Sequence, residues 1–297
     1  MLSARTRNLL HFHVIVFLFG FTSILGALIQ LSAIPLVAHR MLWATGFIGL
    51  YILLRKPSDF KVGLENMKWL FAGGLFIALH WMSFFYAVKV AGVSLTLSML
   101  SMGAFFTALL EPVFYKRKVI LYELIFGLFA IIGLLMIFQS KWDQWWGMSM
   151  ALLSTILGVF FTLVNGKLAS KVPAAAVSFY ELGIGAVITW IVVFCNPKMI
   201  SQAVHLVQQD VVLLGVLSLV CTAYAFVGSV HVMKVLSPYS VMISINMEPV
   251  YGIFLSVLIF GEKEIMNGLF YFGVFLILAA VIGNGYFKIR SDKKQNI

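Results

Sequence analysis

Charge is scarce in this sequence: 11 % of its 297 residues are Asp, Glu, Lys or Arg, against about 25 % in a soluble domain. Only two cysteines occur, Cys195 and Cys221, both at or inside apolar runs and without CxxC or metal-ligand spacing, so they read as packing residues. The HFH at 11–13 is too short and too near an apolar run to make a metal site. The chain has no HExxH, no multi-histidine box and no GxSxG, and its carboxylates lie far apart in sequence. That argues against a membrane-embedded enzyme, which needs clustered nucleophile, base or metal ligands. A Walker phosphate loop is missing too, so ATP is not the direct energy source of this chain alone. No cofactor and no metal are expected.

What the sequence has in excess is apolar residues, 62 % of the total, giving a mean hydropathy of +1.01. They fall in runs of about 20, the length of a helix crossing hydrocarbon. Backbone groups in lipid must be bonded internally, and uniform runs of this length suit helices and not the short alternating strands of a barrel. The expected fold class is therefore an all-α integral membrane protein. The net charge of +10 is scattered between the apolar runs, which points to the membrane surface and away from nucleic acid. The first apolar run resembles a signal peptide, but it has a counterpart later in the chain and is read as a retained span.

Breaks at charged or Pro/Gly clusters predict ten transmembrane helices, at 12–31, 35–54, 67–88, 94–114, 119–138, 145–165, 173–195, 211–233, 238–260 and 265–287. With the N-terminus in the cytoplasm, sixteen of the 21 Lys and Arg fall in cytoplasmic segments, four on the opposite side, and Arg40 lies within a span. This bias follows the positive-inside rule and places both termini in the cytoplasm, with the protein multi-pass in the cell (inner or plasma) membrane. Trp142, Trp145 and Trp146 read as an interfacial belt.

The chain also repeats itself. TSILG at 22–26 recurs as STILG at 154–158, and YAVKVAGVSLTLSMLSM (86–102) aligns without gaps on HVMKVLSPYSVMISINM (231–247). Two halves of five helices follow, and an odd number of spans turns the second half upside down. The domain organisation is then 1–11 as N-terminus, 12–138 as the first repeat, 145–287 as the second, inverted repeat, and 288–297 as a basic cytoplasmic tail. Inverted repeats are characteristic of secondary transporters, although packing symmetry and channels also produce them.

Three stretches carry a resemblance to a known family. EPVYGIFLSVLIFGE (248–262) has proline, small residues, an apolar run and Gly-Glu; AHRMLWATGFIGLYILL (38–54) is an Arg-led second helix; FGVFLILAAVIGN (272–284) is a Gly-spaced tenth. With the two inverted halves, the whole chain resembles the drug/metabolite transporter superfamily, in particular its EamA-type permeases. The first half departs from the pattern, with Ala104 at the place of Pro249 and Lys116-Arg117 at the place of Gly-Glu. The resemblance implies transport of a small polar metabolite, often an amino acid.

Ionisable residues inside spans are few and costly, roughly 2.5–3.5 kcal/mol at a helix centre on insertion scales, and are normally functional or paired. Glu248 is placed about ten residues into its helix beside Pro249, which removes a backbone donor and weakens the preceding turn; a broken helix beside a mid-depth carboxylate suits a substrate or proton site, and a packing role is the alternative. Arg40 and Glu181 occupy equivalent places in helices two and seven, able to pair or to hold the two ends of a zwitterion, while Arg40 is equally able to snorkel to the interface. Ser98 and Ser101 share a face of helix four with Ser94, and the repeat sets Asn246 against Ser101; they suit a cavity wall or helix packing equally. Trp81 and Tyr224, with His80, Tyr86, Tyr180 and Tyr251, are aromatics able to stack on a substrate. The expected function is a secondary transporter or exporter of small polar metabolites such as amino acids, working by alternating access with protons as a candidate coupling ion. A passive channel and an enzyme without a recognisable motif are the alternatives.

Overall fold

In the computed structural model, residues 4–116, 121–236 and 238–295 are described, and among them every regular element is helical. In chain order these are α1 (Ala4–Leu28), α2 (Ala33–Arg55), α3 (Leu64–Ala91), α4 (Val93–Leu100), α5 (Gly103–Tyr115), α6 (Leu121–Ser140) and α7 (Trp145–Leu168). There follow α8 (Ala174–Phe194), α9 (Pro197–Val204), α10 (Gln208–Ser218), α11 (Ala225–Val232), α12 (Pro238–Ile245), α13 (Glu248–Phe260) and α14 (Gly268–Gln295). A π-helical stretch, Leu219–Tyr224, joins α10 to α11.

Eight stretches of the described residues are long and apolar enough to cross a membrane. The other two predicted spans, the fifth and the ninth, are helical as well and are described only in part. Residues 117–120 lie outside the described residues, and the fifth predicted span, 119–138, is realised as α6, Leu121–Ser140. The fourth, 94–114, and the ninth, 238–260, are each realised as two helices, α4 stopping at Leu100 before α5 starts at Gly103, and α12 stopping at Ile245 before α13 starts at Glu248. α14 also continues beyond 287 through Gln295, into the stretch that the charges mark as a tail.

The internal repeat has a structural signature. Val93 and Pro238 start helices, Leu100 and Ile245 end them, Gly103 and Glu248 start the next pair, and Tyr115 and Phe260 end it; each couple lies on the register of the sequence alignment. The break after α4 therefore forms without a proline, at Ser101-Met102, where the second half breaks at Asn246-Met247.

Two sets of equivalent helices, α2 with α8 and α6 with α14, pack in antiparallel pairs. On α2 and α8, Met41 meets Gly185, Thr45 meets Gly183, and Gly49 meets Phe179. On α6 and α14 the backbones approach so closely that a Cβ on Gly133 would lie 2.6 Å from the Gly273 carbonyl oxygen, and one on Gly273 would lie 2.7 Å from that of Gly133. Small residues allow this approach in a bundle where lipid offers no hydrophobic drive to associate. α3 packs on α7 as α11 packs on α1, and α1 packs on α13 as α7 packs on α4 and α5. Trp142, Trp145 and Trp146 are all exposed, at the mouth of α7.

Polar bonds tie the loops at one end of the bundle. Asp210 accepts from the backbone N–H of Gln30 (3.0 Å), the Ser32 hydroxyl donates to Gln202 (2.5 Å), and the Lys89 ammonium donates to the Ile29 carbonyl. Gly92, at φ +84°, turns the chain from α3 into α4. The first two N–H groups of α4, Val93 (3.0 Å) and Ser94 (2.8 Å), donate to the two carboxylate oxygens of Glu264, which is 7 % exposed.

Candidate functional site

A cavity of about 110 Å³ lies among α1, α2, α3, α4, α7 and α11–α13, so both halves build it. It runs from Arg40, about two helical turns from the 29–32 loop, to Met233 and Val241 near the opposite end of the bundle. Phe19, Ile77, Phe84, Phe161 and Phe226 make its apolar walls.

Arg40 is 1 % exposed. Its Nε donates to the Thr222 hydroxyl at 2.6 Å, and its guanidinium carbon lies 3.7 Å from the centroid of the Trp81 ring. The π-helical stretch makes this possible: the Thr222 hydroxyl donates to the Leu217 carbonyl, five residues back, at 2.7 Å, and keeps a lone pair for Arg40. Nη1 is buried, and among the described residues it has no hydrogen-bond partner. A guanidinium is a planar fork of donors matched to a carboxylate, and here part of the fork is left over.

Glu248 lines the same cavity. It is 7 % exposed, and among the described residues no hydrogen bond or ion pair holds its carboxylate. Its neighbour Pro249 lies in the first turn of α13, where a missing N–H leaves nothing unpaired. Proline thus starts a helix here instead of breaking one.

The remaining polar groups of the cavity are acceptors. Thr22, Thr155, Thr162 and Ser229 donate their hydroxyl protons to carbonyls of their own helices, Leu18, Ala151, Gly158 and Phe226, so only lone pairs face outward. His80 is fixed from behind: Nδ1 lies 2.7 Å from the Ser154 carbonyl, and the Ser154 hydroxyl donates to the His80 carbonyl at 2.9 Å. A ring nitrogen facing a carbonyl must carry the proton, which leaves Nε2 an acceptor in the neutral ring. The cavity therefore offers donors at Arg40 and acceptors over the rest of its polar surface.

Of the residues singled out from sequence, Arg40, His80, Trp81 and Glu248 come together here. The others lie elsewhere. Glu181 is fully buried where α8 meets α3 and α7, and both of its oxygens accept from Asn165 Nδ2 at 3.1 Å. No ion pair joins it to Arg40. Ser98 and Ser101 are fully buried and donate to the Ser94 and Leu97 carbonyls. Asn246 is buried, outside the cavity lining, with neither amide atom hydrogen-bonded. Tyr224 is 49 % exposed and pairs with His11 Nε2 at 2.8 Å, on the far side of α11 from the cavity. Thr22, Thr155 and Gly158 were not singled out, yet the repeated TSILG and STILG segments contain all three.

The EamA-like transporter family matches this sequence twice, over residues 8–139 and 145–286. No curated protein matches it. A solved structure described only as "Crystal structure of protein" superposes with a TM-score of 0.69 at 16 % identity, covering 94 % of this chain and 96 % of the other. At that identity the likeness is one of fold.

Proposed function

The chain belongs to the EamA-like transporter family, and from that premise we propose that it is a secondary carrier for a small zwitterionic metabolite of the amino-acid class, working by alternating access. The observation that carries this reading is that buried Arg40, with Nη1 unpaired among the described residues, and the unbonded carboxylate of Glu248 line one cavity. Arg40 takes the substrate carboxylate, with Trp81 holding the guanidinium in place. Glu248, with the hydroxyl lone pairs and His80 Nε2, takes the ammonium. When the site is empty, Glu248 carries the coupling proton instead.

Ten spans, both termini in the cytoplasm and an inner- or plasma-membrane location complete the proposal. In that orientation the end tied by Glu264, Asp210 and Lys89 is external. The cavity reaches toward the opposite, lysine-rich end, as expected of a carrier closed to the outside. The antiparallel pairing of equivalent helices supports the same scheme, because inverted halves can exchange two similar arrangements about a fixed site.

The test is counterflow in proteoliposomes loaded with a mixed pool of amino acids and related metabolites, read by mass spectrometry. Saturable exchange of particular zwitterions, lost in Arg40→Leu, is the expected result. Unsaturable flux would make the protein a channel, and no exchange of any pool member by folded protein would remove the substrate class.

A further inference from the structure

We infer that the chain holds one anionic phospholipid against the face of α11 that points away from the cavity. Two concave surfaces meet there. One is an apolar groove of about 390 Å³ between α1, α2 and α11, walled by Phe47, Ile48, Leu219 and Ala223. The other, of about 480 Å³, is basic, and Lys56, Lys171 and Lys234 converge on it. Tyr51, Val227 and His231 line both, so groove and basic mouth are continuous.

The charges of the mouth are unbalanced. Among the described residues of its lining Asp59 is the one carboxylate, and it is already paired with Lys56 at 3.0 Å. Lys171 and Lys234 are exposed and make no ion pair among the described residues. The backbone N–H groups of Ala174 and Ala175, at the start of α8 and without a side-chain cap, add to the same positive surface. The groove is open along its length: Tyr51, Leu219 and Tyr224 are each about half exposed.

A ligand that satisfies both surfaces needs a phosphate and, joined to it, a hydrocarbon chain. Basic pockets beside transmembrane helices suit anionic headgroups. A soluble phosphate would leave the groove empty, and a zwitterionic lipid would bring its own cation to the lysines. The phospholipid therefore places its phosphate between Lys171 and Lys234 and one acyl chain along the groove. Phe226, Ser229 and Met233 line the cavity on the other side of the same segment, so the lipid and the cavity share one wall.

Native mass spectrometry tests the inference without any transport measurement. The purified full-length protein is titrated with phosphatidylglycerol, with phosphatidylcholine of the same acyl chains, and with glycerol phosphate. One retained phosphatidylglycerol, a weaker phosphatidylcholine and no retained glycerol phosphate are expected. Replacing both lysines (Lys171→Ala with Lys234→Ala) should weaken phosphatidylglycerol by about thirtyfold, at ~1 kcal/mol per cation, and Lys171→Arg with Lys234→Arg should restore it. Equal retention of the two lipids, unchanged retention in the alanine pair, failure of the arginine pair to rescue, or glycerol phosphate binding as well as the lipid would each overturn the assignment.

Discussion

The guanidinium carbon of Arg40 lies 3.7 Å from the centroid of the Trp81 ring, joining α2 to α3 across the cavity wall. A cation over an indole face gains about 0.5–2 kcal/mol, too little to offset the several kcal/mol of burying a charge. The arginine is therefore kept for what its free donors bind. Arg40→Leu is expected to abolish exchange while leaving the thermal midpoint unchanged or higher, since it removes a desolvated charge. Trp81→Phe keeps a smaller ring under the cation and should weaken substrate affinity by roughly fivefold. Exchange surviving in Arg40→Leu would sink the assignment.

Glu248 is the test of coupling. The Gln variant keeps the shape of the side chain and loses only the ability to exchange a proton. Glu248→Gln is expected to eliminate uptake driven by an imposed pH gradient, while exchange at equal pH persists at a reduced rate. Flux that still follows the pH gradient in this variant would assign coupling to another group.

Much of the fold is legible in the sequence because lipid leaves few choices: runs of about 20 apolar residues must be helices. The repeat was equally legible, and the matched boundaries of α4–α5 and α12–α13 follow its register. The cause of the break was not. Pro249 drew attention to the second half, but the first half breaks at the same register without it. Cavity-lining residues are legible where charge sits in a span, as with Arg40 and Glu248. Glu181 satisfies the same rule, and its separation from Arg40 depends on how α8 packs against α3 and α7. Glu264 was invisible, because a loop carboxylate reveals itself as a cap only once α4 is placed beside it.

That cap makes a prediction of its own. Glu264 satisfies two N–H groups at the start of α4, which follows Gly92 and has no side-chain cap of its own. Losing a cap costs about 0.5–2 kcal/mol, and here the cap also links the two halves. Glu264→Ala should lower the thermal midpoint by a few degrees. It should also increase labelling of a cysteine placed at Ser94 by a membrane-impermeant thiol reagent. Unchanged labelling with a lowered midpoint would leave Glu264 a cap without a part in closure.

Glu181 gives the sharpest contrast, because it is a buried carboxylate that the cavity does not use. Among the described residues its two oxygens accept a hydrogen bond only from Asn165 Nδ2, and Asn165 Oδ1 has no hydrogen-bond partner. A glutamine fits this place, offering an amide N–H to Asn165 Oδ1 and an oxygen to Nδ2. Glu181→Gln is therefore expected to keep the thermal midpoint and substrate affinity within about twofold. Glu181→Ala leaves Asn165 Nδ2 with only the Phe161 carbonyl to bond and should cost roughly 1–3 kcal/mol of stability, again without changing affinity. Thermal melts and counterflow on both variants decide the point. If Glu181→Gln melts normally yet fails to exchange, Glu181 belongs to the transport path, and protons or substrate reach beyond the cavity that Arg40 and Glu248 share.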